Sequence, residues 1–180
     1  MKLLWVGFSQ LCVSCLLVVA TNAQVPAASA AKQQAPSATI VYRNTQYGFC
    51  FVLPASWKGY TVQTDQWNGW DTSTNEKRHG PIITIRNPKW TEQSPYQDIP
   101  IMIFTPAVWK LVDDGEIGVS AAPIGPSELG GNNRNVFALP PRWIGFTDAA
   151  GQDEVLALLS QHPFESPCGH KTPQPAKDTP

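Results

Sequence analysis

The side chains of this chain that could bind or transform a ligand are charged and aromatic groups in its polar connections. Exposed aromatic rings stack on sugar or peptide ligands, and a few polar groups beside them fix a ligand's orientation. By residue type, the candidates for ligand or partner binding are Trp90, Asp98, Glu128, Arg134, Arg142 and Trp143. The alternative is structural: large loops need aromatic side chains to stay ordered, and Asp98 then simply pairs with an arginine.

No residue pattern predicts a catalytic centre, a cofactor or a metal. The sequence contains no Gly-x-Ser-x-Gly nucleophile elbow, no His-Glu-x-x-His and no Gly-x-x-x-x-Gly-Lys-Ser/Thr phosphate loop. His79, His162 and His170 fall in a predicted loop, a helix end and a tail, so they are not expected to converge on a metal. The Gly- and Asn-rich segment 125–134 contains Glu128 and precedes a strand, whereas an anion site needs the N–H groups of a helix N-terminus.

The composition bounds the class of protein. The formal charge is −1, so no basic surface is left over for sequence-independent binding of nucleic acid. Hydrophobic residues make up 42% of the chain and include seven tryptophans, which excludes a disordered protein. The 17 prolines are too many for a helical bundle but suit short strands joined by many turns.

The N-terminus predicts export. Lys2, an apolar stretch up to residue 20 and a small residue at Ala23 form the pattern of a cleaved secretory signal over residues 1–23. The alternatives are a retained anchor and a lipoprotein acylated at Cys15. With cleavage, the prediction is a secreted or periplasmic protein, open to association with the cell envelope, with no membrane span.

The rest of the chain divides into three parts. Residues 24–38 are rich in Ala, Gln, Ser and Pro and are predicted to be a flexible linker, residues 39–165 a single domain, and residues 166–180 a disordered proline-rich tail. Signal cleavage leaves Cys50 and Cys168, and two cysteines in an exported chain predict one disulfide. The alternative is a buried apolar Cys50 and a free thiol at Cys168.

Hydrophobic periodicity predicts an α+β domain, with a mainly antiparallel sheet of six or seven strands flanked by two or more helices. Strands are predicted at residues 40–42, 47–53, 60–67, 82–86, 101–104, 117–122 and 136–139. Thr105 and Pro106 predict a helix start before residues 107–112, and a second helix is predicted over 152–161. Residues 68–81 and 124–135 are polar and turn-rich and are predicted to be loops.

Two resemblances accompany these predictions. Residues 47–57, an aromatic strand ending in Pro54 with Trp57 shortly after it, resemble the opening of PsbP-like domains, which implies an antiparallel sheet flanked by helices. Residues 87–92, 97–105, 121–130 and 136–143 are similar to a group of exported bacterial proteins. That second resemblance implies export and a single domain; no activity, cofactor or catalytic residue comes with it.

Three functions remain open on these observations. The first is a non-catalytic binding or interaction module of the cell envelope, suggested by the missing catalytic motifs, the linker and the polar loops that carry tryptophan. The second is an envelope hydrolase that uses carboxylates such as Asp98 or Glu128. The third is a structural or stress-related envelope protein with no ligand.

Overall fold

The domain consists of two antiparallel sheets and two α-helices. The computed structural model describes residues 38–121, 124–144 and 149–169. In chain order its elements are β1 (Thr39–Asn44), β2 (Phe49–Pro54), a 3-10 turn (Ala55–Trp57), β3 (Thr61–Asp71), β4 (Lys77–Arg86), β5 (Ile99–Phe104), α1 (Pro106–Asp113), β6 (Ile117–Gly118), β7 (Ser127–Gly131), β8 (Val136–Leu139), α2 (Gln152–Leu159) and β9 (Phe164–Glu165). The predicted signal, residues 24–37 of the linker and residues 170–180 of the tail lie outside the described residues.

The larger sheet has six strands in the order β6-β3-β4-β5-β8-β7, and the smaller one has three in the order β1-β2-β9. Every neighbouring pair in both sheets is antiparallel. The predicted α+β class with a mainly antiparallel sheet is therefore confirmed. The separate small sheet was not expected from the sequence.

Two predicted loops are wrong. Residues 68–81 are mostly strand, because β3 and β4 pair continuously from Thr61↔Arg86 to Trp70↔Lys77 and only residues 72–76 connect them. Residues 124–135 contain the edge strand β7, which carries a bulge between Glu128 and Gly130. Both segments are polar because they lie at exposed parts of the sheet, where strand residues need not be apolar. The strand predicted over 117–122 is limited to the two residues of β6 within the described chain.

The central part of the large sheet is covered on both faces, each by different partners. On one face Ile83, Ile85, Ile101 and Phe137 pack against the small sheet and α2. On the other face Met102 and Phe104 join residues of α1, with Trp67 and Ile117.

The helix α1 begins where the sequence predicts. Thr105 is its N-cap: the side-chain oxygen accepts a hydrogen bond from the backbone N–H of Val108 at 3.3 Å, and Pro106 occupies the first turn. The cap fixes the chain reversal that returns α1 onto the sheet it has just left.

Residues 166–169, next to the small sheet, are held by covalent and polar contacts. Cys50 on β2 and Cys168 lie at disulfide distance, with 2.06 Å between the sulfurs. The hydroxyl of Ser166 donates to the carbonyl of Gly48 at 2.9 Å and accepts from the side-chain amide of Asn132 at 3.0 Å. Residues 166–169, the start of the predicted tail, are thus placed against β2 and the β7–β8 loop.

Within the described residues no helix is long and apolar enough to cross a membrane. A cysteine pair at disulfide distance is compatible with an exported protein.

The disulfide gives the first prediction. We expect Cys168→Ser to lower the free energy of unfolding by about 2–5 kcal/mol, because the bond closes a loop spanning 118 residues and restricts the unfolded chain. Urea unfolding monitored by tryptophan fluorescence, with and without reductant, measures the loss. Reductant should destabilise the wild-type protein to the level of the variant and leave the variant unchanged. A wild-type protein insensitive to reductant would contradict the bridge.

Candidate functional site

The connection between β4 and β5, residues 87–98, concentrates charged and aromatic side chains at one end of the large sheet. Its first group is built on Arg86, the last residue of β4. The Arg86 guanidinium lies over the Trp90 ring at 3.7 Å from its centroid, and its Nε donates to Asp98 Oδ2 at 3.1 Å. The other oxygen of Asp98 accepts from the backbone N–H of Asn87 at 2.8 Å. Arg86, Trp90 and Asp98 form one cation–aromatic–carboxylate triad, which we call the Arg86 triad.

A second triad of the same kind lies on the same connection and reaches α2. Lys89 Nζ lies 4.9 Å from the Tyr96 ring centroid and donates to Glu154 Oε2 at 3.1 Å, while the Tyr96 hydroxyl donates to the same oxygen at 3.3 Å. The other oxygen of Glu154 accepts from Ser56 Oγ and from the indole N–H of Trp57, both at 3.2 Å. This Lys89 triad therefore joins the connection, the 3-10 turn and the first turn of α2.

Two backbone hydrogen bonds also join the chain just before α2 to the β4–β5 connection. Gln97 donates its N–H to the carbonyl of Ala150 at 2.8 Å, and Ala150 donates its own to the carbonyl of Pro95 at 3.1 Å. Next to it, Gly151 has φ of 83°, and a Cβ there would come within 2.0 Å of the Tyr96 ring. Only glycine allows this approach.

The surroundings of Lys89 and Glu154 favour the charged form of both side chains. Burial raises the pKa of Glu154, but the hydrogen bond and charge of Lys89 and the hydrogen bonds from Ser56 and Trp57 outweigh it and hold that pKa below its ordinary value. The hydrogen bond to Glu154 and then that to Tyr96 raise the pKa of Lys89. Both shifts move the groups away from neutral pH, whereas a general acid or base works best with a pKa near the operating pH.

Two buried amide atoms beside the triads have no hydrogen-bond partner among the described residues. These are Nδ2 of Asn87 and Oε1 of Gln97, whose residues are 1% and 7% exposed. The last paired residues of β4 and β5 on this side are Ile85 and Ile99. Asn87 lies two residues after Ile85, and Gln97 lies two residues before Ile99. Burying an amide donor and an amide acceptor without a partner costs free energy.

The structure separates the six candidate residues into groups. Trp90 and Asp98 meet through Arg86, as the pairing alternative for Asp98 anticipated. Arg142 and Trp143 follow β8, which runs antiparallel to β5, so they lie at the same end of the sheet as the β4–β5 connection. Arg142 is exposed, and Trp143 packs against the core. Glu128 lies on the edge strand β7.

Arg134 lies at the opposite end of the sheet, in the turn between β7 and β8. It lines a cavity of about 430 Å³ with Tyr47, Gly48, Asn132 and Asn133, beside the turn that joins β1 and β2. In the described part of the chain neither Arg134 nor Glu128 forms an ion pair. The six residues do not form one site.

Sequence reasoning missed most of the residues that organise the β4–β5 connection: Ser56, Trp57, Lys89, Tyr96 and Glu154. The available signals were weak. An acidic residue in the first turn of a helix is favoured by the helix dipole alone, so Glu154 gives no sign of a distant partner. Trp67, which directly precedes the polar segment 68–81, is 5% exposed and donates its indole N–H to the carbonyl of Ile103 at 3.0 Å. No group of three or more His, Cys, Asp or Glu in the described ranges is placed to hold a metal ion.

Glu154 gives the second prediction. We expect Glu154→Gln to lower the free energy of unfolding at neutral pH by about 1–2 kcal/mol, because the Lys89 ion pair is lost and the hydrogen bonds weaken. A carboxyl whose folded pKa is lowered stabilises the fold above its ordinary pKa of 4.5 and loses that contribution as pH falls through the folded value. The difference between variant and wild type should therefore shrink in acid.

Urea unfolding at a series of pH values measures this difference. The matched control is Asp153→Asn, which removes an exposed carboxylate from the same turn of α2 and should cost much less. A Glu154→Gln penalty that is constant with pH would contradict the ion-pair explanation.

Comparison of the chain with protein-family models, with curated proteins and with solved structures finds no match in any of the three.

Proposed function

We propose that this domain is a non-catalytic binding module of an exported protein, and that it binds a partner protein of the cell envelope through the β4–β5 connection. The observation that carries the proposal is the pair of cation–aromatic–carboxylate triads on this one connection. Export is part of the proposal and is supported by the predicted signal over residues 1–23 and by the Cys50–Cys168 pair.

The residue types and their rigidity suit protein recognition. Trp, Tyr and Arg dominate the energetics of protein interfaces, and Trp90, Tyr96 and Arg86 present all three within eleven residues of chain. Asp98 holds Arg86, which lies over Trp90, and Glu154 holds Tyr96, so less side-chain entropy is lost on binding. Residues 91–95 between the triads are all exposed.

A hydrolase is less well supported by the same contacts. Both oxygens of Asp98 and both of Glu154 already accept hydrogen bonds from the protein. Glu128, the other carboxylate considered, lies on β7 and belongs to neither triad. Two carboxylates engaged in structural contacts would have to be released before either could serve as acid, base or nucleophile.

Site-specific photo-crosslinking tests the proposed surface. A photoreactive amino acid replaces exposed Gln93, in the middle of the connection, in cells that naturally make the protein. As a matched control it replaces exposed Gln63 on β3. We expect one discrete adduct with a partner protein from position 93 and none from position 63. Adding Trp90→Ala should reduce its yield more than about tenfold, because a central Trp is worth at least about 2 kcal/mol at an interface.

Two further variants keep the result interpretable. Trp90→Phe retains a ring beneath Arg86 and should recover part of the adduct, and urea unfolding of Trp90→Ala shows whether the domain stays folded. Equal adducts from both positions, or a position-93 adduct indifferent to Trp90→Ala in a folded protein, would refute the surface. No adduct from position 93 would favour the structural role.

A further inference from the structure

A second site, outside the β4–β5 connection, lies at the tip of the hairpin formed by β3 and β4. Asn68, Gly69, Trp70, Asn75 and Lys77 line an open cleft of about 410 Å³ there, which we call the hairpin-tip cleft. Asn68 and Trp70 share one face of β3, since side chains alternate along a strand, and Lys77 is the cross-strand partner of Trp70.

The turn that completes the cleft is rigid. Oδ1 of Asp71 accepts hydrogen bonds from the hydroxyl of Ser73 at 2.7 Å and from the backbone N–H groups of Ser73 and Thr74 at 3.0 Å. These bonds, that of the Ser73 hydroxyl first, hold the pKa of Asp71 well below its usual range, so the carboxylate stays charged. The turn is also tied to the chain before β6, because Thr72 donates its N–H to the carbonyl of Glu116 at 2.8 Å.

The indole of Trp70 is seated on backbone. A Cβ at Gly118 of β6 would come within 2.9 Å of the Trp70 ring, so the ring lies directly against this glycine. Gly69 in turn lets the two strands approach, since a Cβ there would be 2.5 Å from the carbonyl oxygen of Gly118. Two glycines thus fix an aromatic plane that is only partly buried.

The polar groups around this plane are unused by the protein. Among the described residues, the side chains of Asn68, Asn75 and Lys77 and the indole N–H of Trp70 make no hydrogen bond or ion pair. Both neighbouring carboxylates are paired with Arg78, which follows Lys77 and lies on the opposite face of the strand. Its guanidinium is 3.6 Å from Asp71 and 3.5 Å from Glu76. Within the part of the chain that the structure describes, Lys77 is therefore left as a cation without a carboxylate.

We propose that the hairpin-tip cleft binds a pyranose that carries a carboxylate, such as a uronic acid unit of a polysaccharide. The apolar face of the sugar ring stacks on Trp70, in the way that aromatic side chains recognise flat, partly apolar ligands. The amides of Asn68 and Asn75 donate to and accept from its hydroxyl groups, because each carries both kinds of group. Lys77 pairs with the carboxylate and supplies the preference for an acidic sugar.

Two oligosaccharides of equal length test the site on the full domain. The probe is a tetrasaccharide of alternating glucuronate and N-acetylglucosamine, and the neutral control is chitotetraose. We expect chemical-shift changes in an NMR titration to be largest at the Trp70 indole N–H, with a Kd for the acidic probe on the order of 1 mM or tighter. Chitotetraose should bind about two- to fivefold more weakly, the value of an exposed ion pair.

Four variants assign the contacts. Trp70→Ala should weaken binding of both sugars by about tenfold or more. Lys77→Gln should remove the preference for the acidic probe and leave chitotetraose binding unchanged. Asn75 has φ of 61°, so Asn75→Gly deletes its amide without straining the turn and should weaken both sugars. Gln63→Ala, at an exposed position of β3 outside the cleft, should change neither affinity.

The possible results separate cleanly. If Trp70→Ala perturbs the fold, Asn75→Gly and Lys77→Gln decide the matter, because both residues are exposed and make no side-chain contact that the fold needs. If neither sugar binds, or if Trp70→Ala, Lys77→Gln and Asn75→Gly all leave the affinities unchanged, the site is overturned. Equal affinity for the two sugars would overturn the acidic specificity. None of these results bears on the crosslinking at Gln93.

Discussion

Strand β5 imposes the constraint around which this domain is arranged. Five of its six residues, all but Pro100, are buried, and its side chains alternate between the two faces of the large sheet. A strand that is apolar on both sides needs a cover on each. One face is covered by the next element of the chain, because the Thr105 cap turns α1 directly back onto Met102 and Phe104. The other face is covered by segments that come from both ends of the domain.

That second cover is made of separate pieces, and polar contacts hold them together. The small sheet combines β1 and β2 from the beginning of the domain with β9 from its end, and β9 contributes only two residue pairs. The Cys50–Cys168 bond and the contacts of Ser166 reinforce this short pairing on one side. Glu154 does so on the other, because its carboxylate joins α2 to the 3-10 turn and to the β4–β5 connection. The Lys89 triad therefore joins the pieces of a discontinuous cover, and it also holds the β4–β5 connection in a fixed position.

How much of the fold could be predicted depends on how local each signal is. The apolar run of β5 and the Thr-Pro start of α1 are readable within a few residues, and both were correct. The hairpin tip was missed because its residues are mostly polar and exposed and resemble a loop in composition, and because β6, which pairs with Trp70 and Asp71, comes from a distant part of the chain. The role of Glu154 could not be read at all, since Ser56 lies 98 residues away and Tyr96 lies 58. Only the folded chain places these residues together.

The two polar clusters differ in how far the fold itself uses the hydrogen-bonding and charged groups of their side chains. At the β4–β5 connection each carboxylate has a cation and further donors, so substituting one group leaves buried or half-buried partners unpaired and costs stability. At the hairpin tip Arg78 pairs with both local carboxylates, whereas Lys77, two amides and an indole N–H around a fixed aromatic plane have no partner among the described residues. Folding does not require that arrangement, because no contact of the sheet depends on those side-chain atoms. Groups that are rigidly placed, chemically complementary to a sugar acid and idle in the fold are better explained by a ligand than by stability.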